Sequence, residues 1–368
     1  MNEIELSNAA LAEYEKGNSE IAISMFTRAF DMCRSDAIGS QIKNNIASIL
    51  MGLNRYQEAL KHLETALDLH VHVDAVWNYS VCLLHNGRLR EGMSLYKARY
   101  AGRDAIDAVH FPDLPIPQCN VPSEMRGRKV LVLNEQGFGD EIMFSRGFDV
   151  LLDIDLGSCS SHAVQCYPEM LPLFMTMHPR MKFFSDRSFS YDFVMGFDCW
   201  TCTGDLFMWS VMNGIHPAYE NTVQPVGIME PELKDGKNIG ISLSCNQLSR
   251  NADKRSIDPD SVIPDLLAEG YRLTSLQKNV KYDKYDIVDY DRIARCNDFL
   301  DTALLIRDMD KVVTCDTVIA HLAGMLGKET DLLTTDYVDW RWKYVDDEGK
   351  SLLYPSIKVK KICRPGIL

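Results

Sequence analysis

The first hundred residues repeat a helical pattern, and this repetition limits what they can fold into. Stretches with a helical spacing of apolar residues end near glycines that recur every 35 residues: Gly17, Gly52 and Gly87. Small residues stand at similar offsets in the three units: Ala22, Ala59 and Gly92. Small side chains let paired helices pack closely, and the glycines permit the positive φ of a tight turn between them. The segment therefore predicts three stacked helix pairs.

A period of about 34 residues with small residues at similar offsets is typical of tetratricopeptide (TPR) repeats, and about three units form the minimum stacked core. We assign residues 1–110 to this array. The residues leave two roles open for it. It is either a binding surface for a protein partner or acceptor, or a rigid spacer or dimerisation element.

Residues 111–123 predict an extended linker, because the stretch FPDLPIPQCNVP holds four prolines and has no helical period. After it, residues 129–134 form a strand-like run, residues 135–140 a glycine loop, and a helix is predicted from Glu141. Strand, glycine loop and helix open a nucleotide-binding-like α/β domain, which we place at 124–232. The runs HAVQCY, MKFFS and YDFVMGF predict further short strands.

Residues 233–368 predict a second α/β half, because strand-like and helical runs alternate there. Strands are predicted at 238–243, 271–277, 285–290, 311–316 and 331–335, and helices at 258–270, 298–310 and 317–327. This alternation indicates a second parallel sheet. Two such halves place a cleft between the carboxyl ends of both sheets, where ligands of α/β proteins bind.

Charge and cysteine content argue against several classes of protein. The 368 residues carry a formal net charge of −13, which argues against binding nucleic acid or anionic lipid mainly through bulk charge. No apolar run is long enough for a membrane span, and the N-terminus lacks the basic-then-apolar order of a signal peptide. Cys199 and Cys202 form a CxxC motif, but a zinc site normally needs a second ligand pair. We therefore expect buried or free thiols, no metal site, and a cytoplasmic protein.

Five segments, in this order along the chain, resemble bacterial and phage-type TPR proteins with a C-terminal glycosyltransferase domain. They are NEQGFGDEIMFSRGF, SIDPDSVIPDLL, SLQ, DFLDTALLIRDMDKVVTCDTVIAHLAGMLGK and DWRWKY. Those proteins are similar to the heptosyltransferases and, more distantly, to O-GlcNAc transferase. The resemblance covers nearly the whole chain.

The resemblance implies a GT-B fold, in which two Rossmann-like halves follow the α-helical repeats. It implies a hexosyl or pentosyl transferase that moves a sugar from a nucleotide-diphosphate donor to a hydroxyl acceptor, with inversion and without a metal. The nucleotide-sugar is expected on the C-terminal half and the acceptor on the N-terminal half. No cofactor is expected besides this donor substrate, and the acceptor is left open as a protein, a glycan or a modified nucleic acid.

On the acceptor side, the resemblance places Gln136, Gly137, Gly139 and Asp140 in the family's EQGxGD motif. Glycosyl transfer needs a base for the acceptor hydroxyl, and Asp140 stands where heptosyltransferases have their aspartate base. A helix N-terminus favours the charged form of this carboxylate, which makes it a weaker base. Two other roles stay open for Asp140, namely capping the helix and positioning the acceptor.

On the donor side, Asp316 and Thr317 stand where a predicted strand ends and a helix begins, and backbone N–H groups at such a junction suit a diphosphate. His321 lies one turn into that helix, and Gly324 permits close packing. The resemblance favours a donor site here over a buried histidine and a capping aspartate. Gln277 ends another predicted strand, from which its side chain can reach the nucleotide base or ribose.

The loop at 246–256 resembles the family's GNPxHxNDxxRS stretch, and Arg255 and Ser256 match it. Lys254 is the candidate for neutralising charge on the leaving diphosphate. The loop departs from the family's His and Asp at two positions: Ser249 and Ala252. These departures imply an altered donor or reduced activity.

Two other functions stay open. The departures in the loop motivate a non-catalytic TPR adaptor on a decayed transferase fold. The KVKK run at 358–361, with Lys254 and Arg255, motivates transfer to modified bases such as those of hydroxymethylated DNA, although the acidic balance of the chain counts against it.

Overall fold

The computed structural model describes residues 1–100, 113–153, 162–186, 188–214, 237–246, 251–282, 284–285 and 288–362. The chain divides into two compact units, Met1–Phe111 and Pro112–Leu368. Three features singled out in the sequence lie outside the described residues: the boundary at 110/111, the boundary at 232/233 and Ser249. Within the described ranges, no helix is long and apolar enough to cross a membrane.

The first unit is built from helix pairs, as its repeats predict. The helices are α1 (Glu3–Glu15), α2 (Ser19–Met32), α3 (Asp36–Gly52), α4 (Tyr56–Leu69), α5 (Val73–His85) and α6 (Leu89–Ser94). Ala22 and Ala59 are fully buried in one apolar core with Phe26 and Leu63. Small side chains therefore lie where the helices of each pair meet.

The turn of the second pair does not use the glycine predicted for it. Gly52 is the last residue of α3, and the positive φ of this turn, 60°, belongs to Asn54. Gly17 (φ 87°) and Gly87 (φ 75°) take the positive φ in the other two turns, as predicted. Asparagine adopts the left-handed region more readily than most residues, because its short polar side chain can hydrogen-bond locally.

The third pair departs from the small-residue pattern at Arg99. Ala29 and Ala66 stand seven residues after Ala22 and Ala59, whereas Arg99 stands seven residues after Gly92. Helix α6 is short, and a 3-10 helix follows at Tyr96–Tyr100. The buried Arg99 guanidinium stacks over the Tyr96 ring at 4.5 Å and donates to the Tyr100 hydroxyl at 2.8 Å. Aromatic stacking and hydrogen bonds stabilise the cation in this buried position.

The first α/β half contains a parallel sheet. Its elements are β1 (Val130–Leu133), α7 (Phe138–Phe144), α8 (Asp149–Asp153), β2 (His162–Gln165), α9 (Leu171–Met177), β3 (Phe183–Phe184), α10 (Tyr191–Val194), β4 (Cys199–Cys202) and α11 (Thr203–Met212). The strand order is β3-β2-β1-β4, and every pairing is parallel. Strand β1 lies inside this sheet and is buried along its whole length.

Three local predictions for this half need correction. Helix α7 begins at Phe138 and not at Glu141, so Gly139 and Asp140 belong to its first turn. The run YDFVMGF contains α10, because the Ser190 hydroxyl accepts the Phe193 N–H at 3.2 Å and caps a helix. The fourth strand, β4, is instead the CxxC segment, and both of its cysteines are buried free thiols.

The second α/β half also contains a parallel sheet. Its elements are β5 (Asn238–Ser242), α12 (Ala252–Arg255), α13 (Ile263–Ala268), β6 (Arg272–Ser275), α14 (Asp291–Ala294), α15 (Phe299–Arg307), β7 (Lys311–Thr314), α16 (Val318–Met325), β8 (Thr330–Thr334) and β9 (Ile357–Lys361). The order is β6-β5-β7-β8-β9. Helical repeats followed by two parallel α/β sheets confirm the expected class, consistent with a GT-B fold of two Rossmann-like halves.

Here too the local predictions need correction. The helix predicted at 258–270 begins only at Ile263, because a 3-10 helix at Pro259–Ser261 precedes it. In the predicted strand at 285–290, the described residues form an isolated bridge from Asp289 to Thr274. Strand β9 was not predicted, because its lysines were interpreted as a basic run, although Ile357 and Val359 alternate with Lys358 and Lys360 as in a strand.

One apolar core joins the two α/β halves. Ile142 of α7 and Phe174 of α9 belong to the same buried cluster as Leu305 of α15 and Leu322 of α16. Helix α7 follows β1 and helix α16 follows β7, so both helices start beside the carboxyl end of a strand. The packing brings these two strand-to-helix junctions together.

Candidate functional site

An arginine and an aspartate connect the two junctions. The Arg341 guanidinium, in a 3-10 turn at Trp340–Trp342, donates from Nε to Asp140 Oδ1 at 2.9 Å, and its Nη2 also donates to this oxygen. Nη1 donates to Asp339 Oδ1 at 2.7 Å. The side chains of Arg341 and Asp140 are only 15% and 18% exposed. The pair is therefore shielded from bulk water. An ion pair in such a shielded position is stronger than one at the surface.

The glycine loop holds Asp140 in a fixed position. Gln136 has a left-handed φ of 63°, and its carbonyl accepts the Tyr167 hydroxyl at 2.5 Å. The Gly137 N–H donates to Asp140 Oδ2 at 3.2 Å, so this carboxylate also caps helix α7. The Gln136 side chain joins the cluster, because its Oε1 accepts from Arg341 Nη2 at 3.2 Å.

Gly139 lies against His321 of the second half. A Cβ atom at Gly139 would lie 2.7 Å from His321 Cδ2 and 3.2 Å from Nε2, well inside van der Waals contact. Only glycine therefore allows helix α7 to approach this ring without displacement. The predicted acceptor-side and donor-side residues meet at this point.

His321 is a buried, neutral side chain in an aromatic cluster. Its Nδ1 is 3.0 Å from the Tyr354 hydroxyl, and its ring centroid is 4.8 Å from that of Trp342. Burial, with Arg341 nearby, lowers the pKa of His321 to about 3. Gly324, on the same helix, packs against Tyr354, because a Cβ there would lie 2.5 Å from the Tyr354 ring.

Asp316 links the donor-side junction to the same cluster. Its Oδ1 accepts the Trp342 indole N–H at 2.7 Å, and its Oδ2 accepts from Arg255 Nη1 at 3.3 Å. Burial and the nearby Asp339 raise the pKa of the Asp316 carboxyl, while Arg255 and Trp342 oppose this rise. The Thr317 hydroxyl lies 3.2 Å from Ser242 Oγ and does not cap helix α16.

Other residues predicted on the donor side have local partners. Gln277 accepts the Ser244 N–H at 3.0 Å and the Tyr282 hydroxyl at 3.1 Å. The Ser256 hydroxyl accepts the Cys245 N–H and donates to the Ala252 carbonyl, at 3.0 and 2.8 Å. These contacts shape the loops after β5 and β6. Lys254, by contrast, is exposed.

From the sequence, site roles were predicted for Asp140 and Asp316, but no role in the reaction was predicted for Arg341 or Asp339. Both residues belong to the segment DWRWKY that carries the resemblance, in which Trp340 and Trp342 flank Arg341. The structure buries both tryptophans. Arg146 was also missed; its buried guanidinium lies 4.5 Å from the Tyr354 ring centroid.

The cluster can bind an anion and accept a proton. Arg255 and Arg341 supply planar cations that match phosphate geometry, and Asp140 supplies a carboxylate beside Arg341. In the part of the chain that the structure describes, no three His, Cys, Asp or Glu side chains form a group that could hold a metal ion.

Sequence comparisons identify the repeats and one relative. The profile of the tetratricopeptide repeat family matches residues 44–105. Protein FlbA of Caulobacter vibrioides is 23% identical in an alignment of 301 positions, which covers 70% of this chain and 49% of that protein. The chain thus spans about half the length of this curated relative.

Similar solved structures include three glycosyltransferases. E. coli ADP-heptose lipopolysaccharide heptosyltransferase II is 13% identical, with 64% of this chain and 90% of that chain covered and a TM-score of 0.40. The iron-containing dodecameric glycosyltransferase TibC of enterotoxigenic E. coli H10407 is 11% identical, with 63% and 62% covered and a TM-score of 0.40. The O-GlcNAc transferase of Thermobaculum terrenum is 12% identical, with 92% and 83% covered and a TM-score of 0.26. The chain thus has an N-terminal TPR region and a distant structural similarity to these enzymes.

Proposed function

We propose that the chain is a glycosyltransferase that moves a sugar from a nucleoside diphosphate to a hydroxyl acceptor. The observation that carries this proposal is the meeting of two strand-to-helix junctions, one with Asp140 and the other with Asp316 and His321, around the Arg341 guanidinium. The acceptor oxygen attacks the anomeric carbon, the bond from that carbon to the phosphate oxygen breaks, and the nucleoside diphosphate leaves with the electron pair. Asp140 accepts the hydroxyl proton, and the configuration inverts.

The arginines support this assignment. A departing diphosphate gains negative charge, and fixed guanidinium groups stabilise it without reorganisation of solvent. Arg255 and Arg341 lie in the cluster, so the chain supplies cations where the chemistry needs them. His321 stays neutral at physiological pH, and it contributes a hydrogen-bonding ring rather than a charge.

A donor screen tests the function. The protein is incubated with UDP-, GDP-, ADP- and CDP-linked sugars, and hydrolysis or transfer is followed by mass spectrometry. We expect turnover of one donor, and loss of about 10²-fold or more in Asp140→Asn. The matched control is Asp260→Asn, since this exposed aspartate pairs with Lys284 on the surface. Equal turnover in Asp140→Asn and the wild type would refute the role of Asp140.

A non-catalytic adaptor is the second candidate, and one observation favours it. Both carboxylate oxygens of Asp140 already accept hydrogen bonds, from Arg341 and from the Gly137 N–H. If the chain is an adaptor, none of the nucleotides released from these four donors, added alone, should shift the thermal unfolding temperature of the protein. A hydroxymethylated DNA acceptor belongs in the transfer assay as a further arm, where salt-sensitive binding would support it.

A further inference from the structure

The contact between Arg341 and Asp140 joins the two α/β halves. Arg341 lies two residues from Asp339, which is a local partner, whereas Asp140 belongs to the other α/β half. A guanidinium that bridges two carboxylates from different halves can release one carboxylate and keep its hydrogen bond to the other. One of these partners is the residue to which we assign proton transfer.

The bridge blocks that assigned role. Asp140 Oδ1 accepts from Nε and Nη2 of Arg341, and Oδ2 accepts the Gly137 N–H. Arg341 thus contacts one oxygen of the carboxylate with two donors, and the glycine loop contacts the other oxygen with one. A base also needs an accessible oxygen within hydrogen-bond reach of the acceptor hydroxyl. Arg341 therefore covers Asp140 Oδ1, and this oxygen can reach an acceptor hydroxyl only when Arg341 releases it.

The surroundings of Arg341 indicate where the guanidinium goes. The next residue, Trp342, donates to Asp316 Oδ1 at 2.7 Å, which ties the 3-10 turn to the junction at which α16 begins. From the sequence, the donor diphosphate is expected at this junction, where Asp316 and Thr317 precede helix α16. Guanidinium binds phosphate and carboxylate with the same forked geometry, and a diphosphate carries more charge than one carboxylate.

We propose that Arg341 exchanges Asp140 for the donor's diphosphate, so that donor binding releases the proton acceptor. This inference rests on the proposed function and adds the order of events: donor first, then acceptor. No covalent bond changes in the exchange, and Arg341 keeps all its protons. The 2.7 Å contact with Asp339 holds the guanidinium during the exchange, so Asp339 is a positioning residue.

The exchange predicts an unusual effect of removing the base. In the wild type, nucleoside diphosphate has to displace Asp140 from Arg341, whereas in Asp140→Asn this charge competition is absent. We therefore expect Asp140→Asn to bind UDP, GDP, ADP or CDP about tenfold more tightly than the wild type does, while turnover is lost. The matching nucleoside monophosphates should gain less, because they lack the second phosphate.

Isothermal titration calorimetry on the full chain tests the exchange. The variants are Asp140→Asn, Arg341→Gln and the double substitution, with circular dichroism to verify folding. The gain in affinity should disappear when Arg341 is glutamine. Arg341→Lys is a second test, since it keeps the charge but loses the fork, and its affinity should fall between those of the wild type and Arg341→Gln.

Each result supports or overturns the exchange. Equal or weaker binding by Asp140→Asn, or a gain that persists with Arg341→Gln, overturns the exchange and leaves the proposed function intact. Binding by Asp140→Asn without detectable binding by the wild type supports it. Failure of both proteins to bind any nucleoside diphosphate overturns the proposed function together with the exchange.

Discussion

Gly137 and Gly139 belong to the same short loop and helix start, but a methyl group at each would meet different surroundings. At Gly139 the added Cβ lies 2.7 Å from His321, whose ring is held by Tyr354 and cannot easily move away. At Gly137 the nearest atom is an Asp140 carboxylate oxygen at 3.7 Å. We expect Gly139→Ala to lose about 1–3 kcal/mol of unfolding free energy, measured in urea, and Gly137→Ala to lose clearly less. Equal losses would contradict the close approach of α7 to His321.

The free energy of unfolding depends on pH partly through His321. Its pKa falls to about 3 because of burial, so the unfolded state binds a proton below about pH 6.5 that the folded state does not. Its share of stability is complete above that pH and decreases as the pH falls towards 3. We expect a contribution of about 2 kcal/mol to be lost between pH 7 and pH 5.

The pH experiment compares slopes rather than absolute stabilities. Urea unfolding between pH 7 and pH 5 should show a shallower decline in His321→Gln than in the wild type. His178, whose pKa burial lowers to about 4, adds to the decline in both proteins. Identical slopes would show that His321 is hydrated in the folded state.

The sequence marks Asp140 and Asp316 but does not reveal the side chains that they contact. Asp140 and Asp316 were identified because motifs mark them, but their partners are about 200 and 26 positions away in the chain. Gln277 stays a candidate for contact with the nucleotide, and in the structure its amide joins the loops after β5 and β6. Nothing in one sequence reveals which of two distant groups a side chain will meet.

At the scale of elements, the helix pairs of the first unit depend on Gly92. A Cβ there would lie 2.6 Å from buried Leu84 and 3.0 Å from the Ser80 carbonyl. Gly17 has nothing within 4 Å but a φ of +87°. We expect both alanine substitutions to cost about 1–3 kcal/mol, for different reasons, overpacking and backbone strain respectively.

A double-substitution cycle separates the two reasons. Leu84→Ala removes the atoms that Gly92→Ala would meet, so thermal unfolding by far-UV circular dichroism should show less than additive losses for this pair. Leu84→Ala with Gly17→Ala should be additive. Additive losses in both pairs would mean that α5 and α6 do not touch at Gly92.

Elements with competing local signals were mispredicted. Tyr191, Phe193 and Met195 alternate with other residues as in a strand, but a helix begins there because Ser190 caps its N-terminus. The CWTC segment, for which buried or free thiols were expected, was not predicted as a strand, but it pairs in parallel with β1 over its full length. Long segments with strong periodicity, such as those of α3, α4 and α16, were predicted correctly because local pattern and tertiary packing agree.

The rate at which each cysteine thiol is labelled depends on how tightly the molecule is packed around it. Eight of the nine described cysteines are buried free thiols, and Cys33 is partly exposed. Since buried thiols react slowly, we expect iodoacetamide to label Cys33 first among these nine in the native protein. Peptide mapping by mass spectrometry measures this order. Early labelling of Cys202 or Cys245 would contradict the tight packing of the two sheets.

The class of fold could be predicted for the whole chain, whereas the order of strands could not. Alternation of strands and helices gives two parallel sheets by a general rule of connection. The positions of β4 beside β1 and of β9 beside β8 depend on packing of distant segments. The same limit applied to the functional cluster, since Arg341 reaches Asp140 only after both halves have formed.

Strand β9 has a consequence for the entropy of ligand binding. It pairs with β8, and the connection between them, residues 335–356, carries Arg341, Trp342 and Tyr354. Because both ends of this connection are fixed in one sheet, the entropy of closing it is lost when the protein folds and not when a ligand arrives. A ligand that meets Arg341 thus meets a group whose freedom is already reduced, which preserves more of the interaction as affinity.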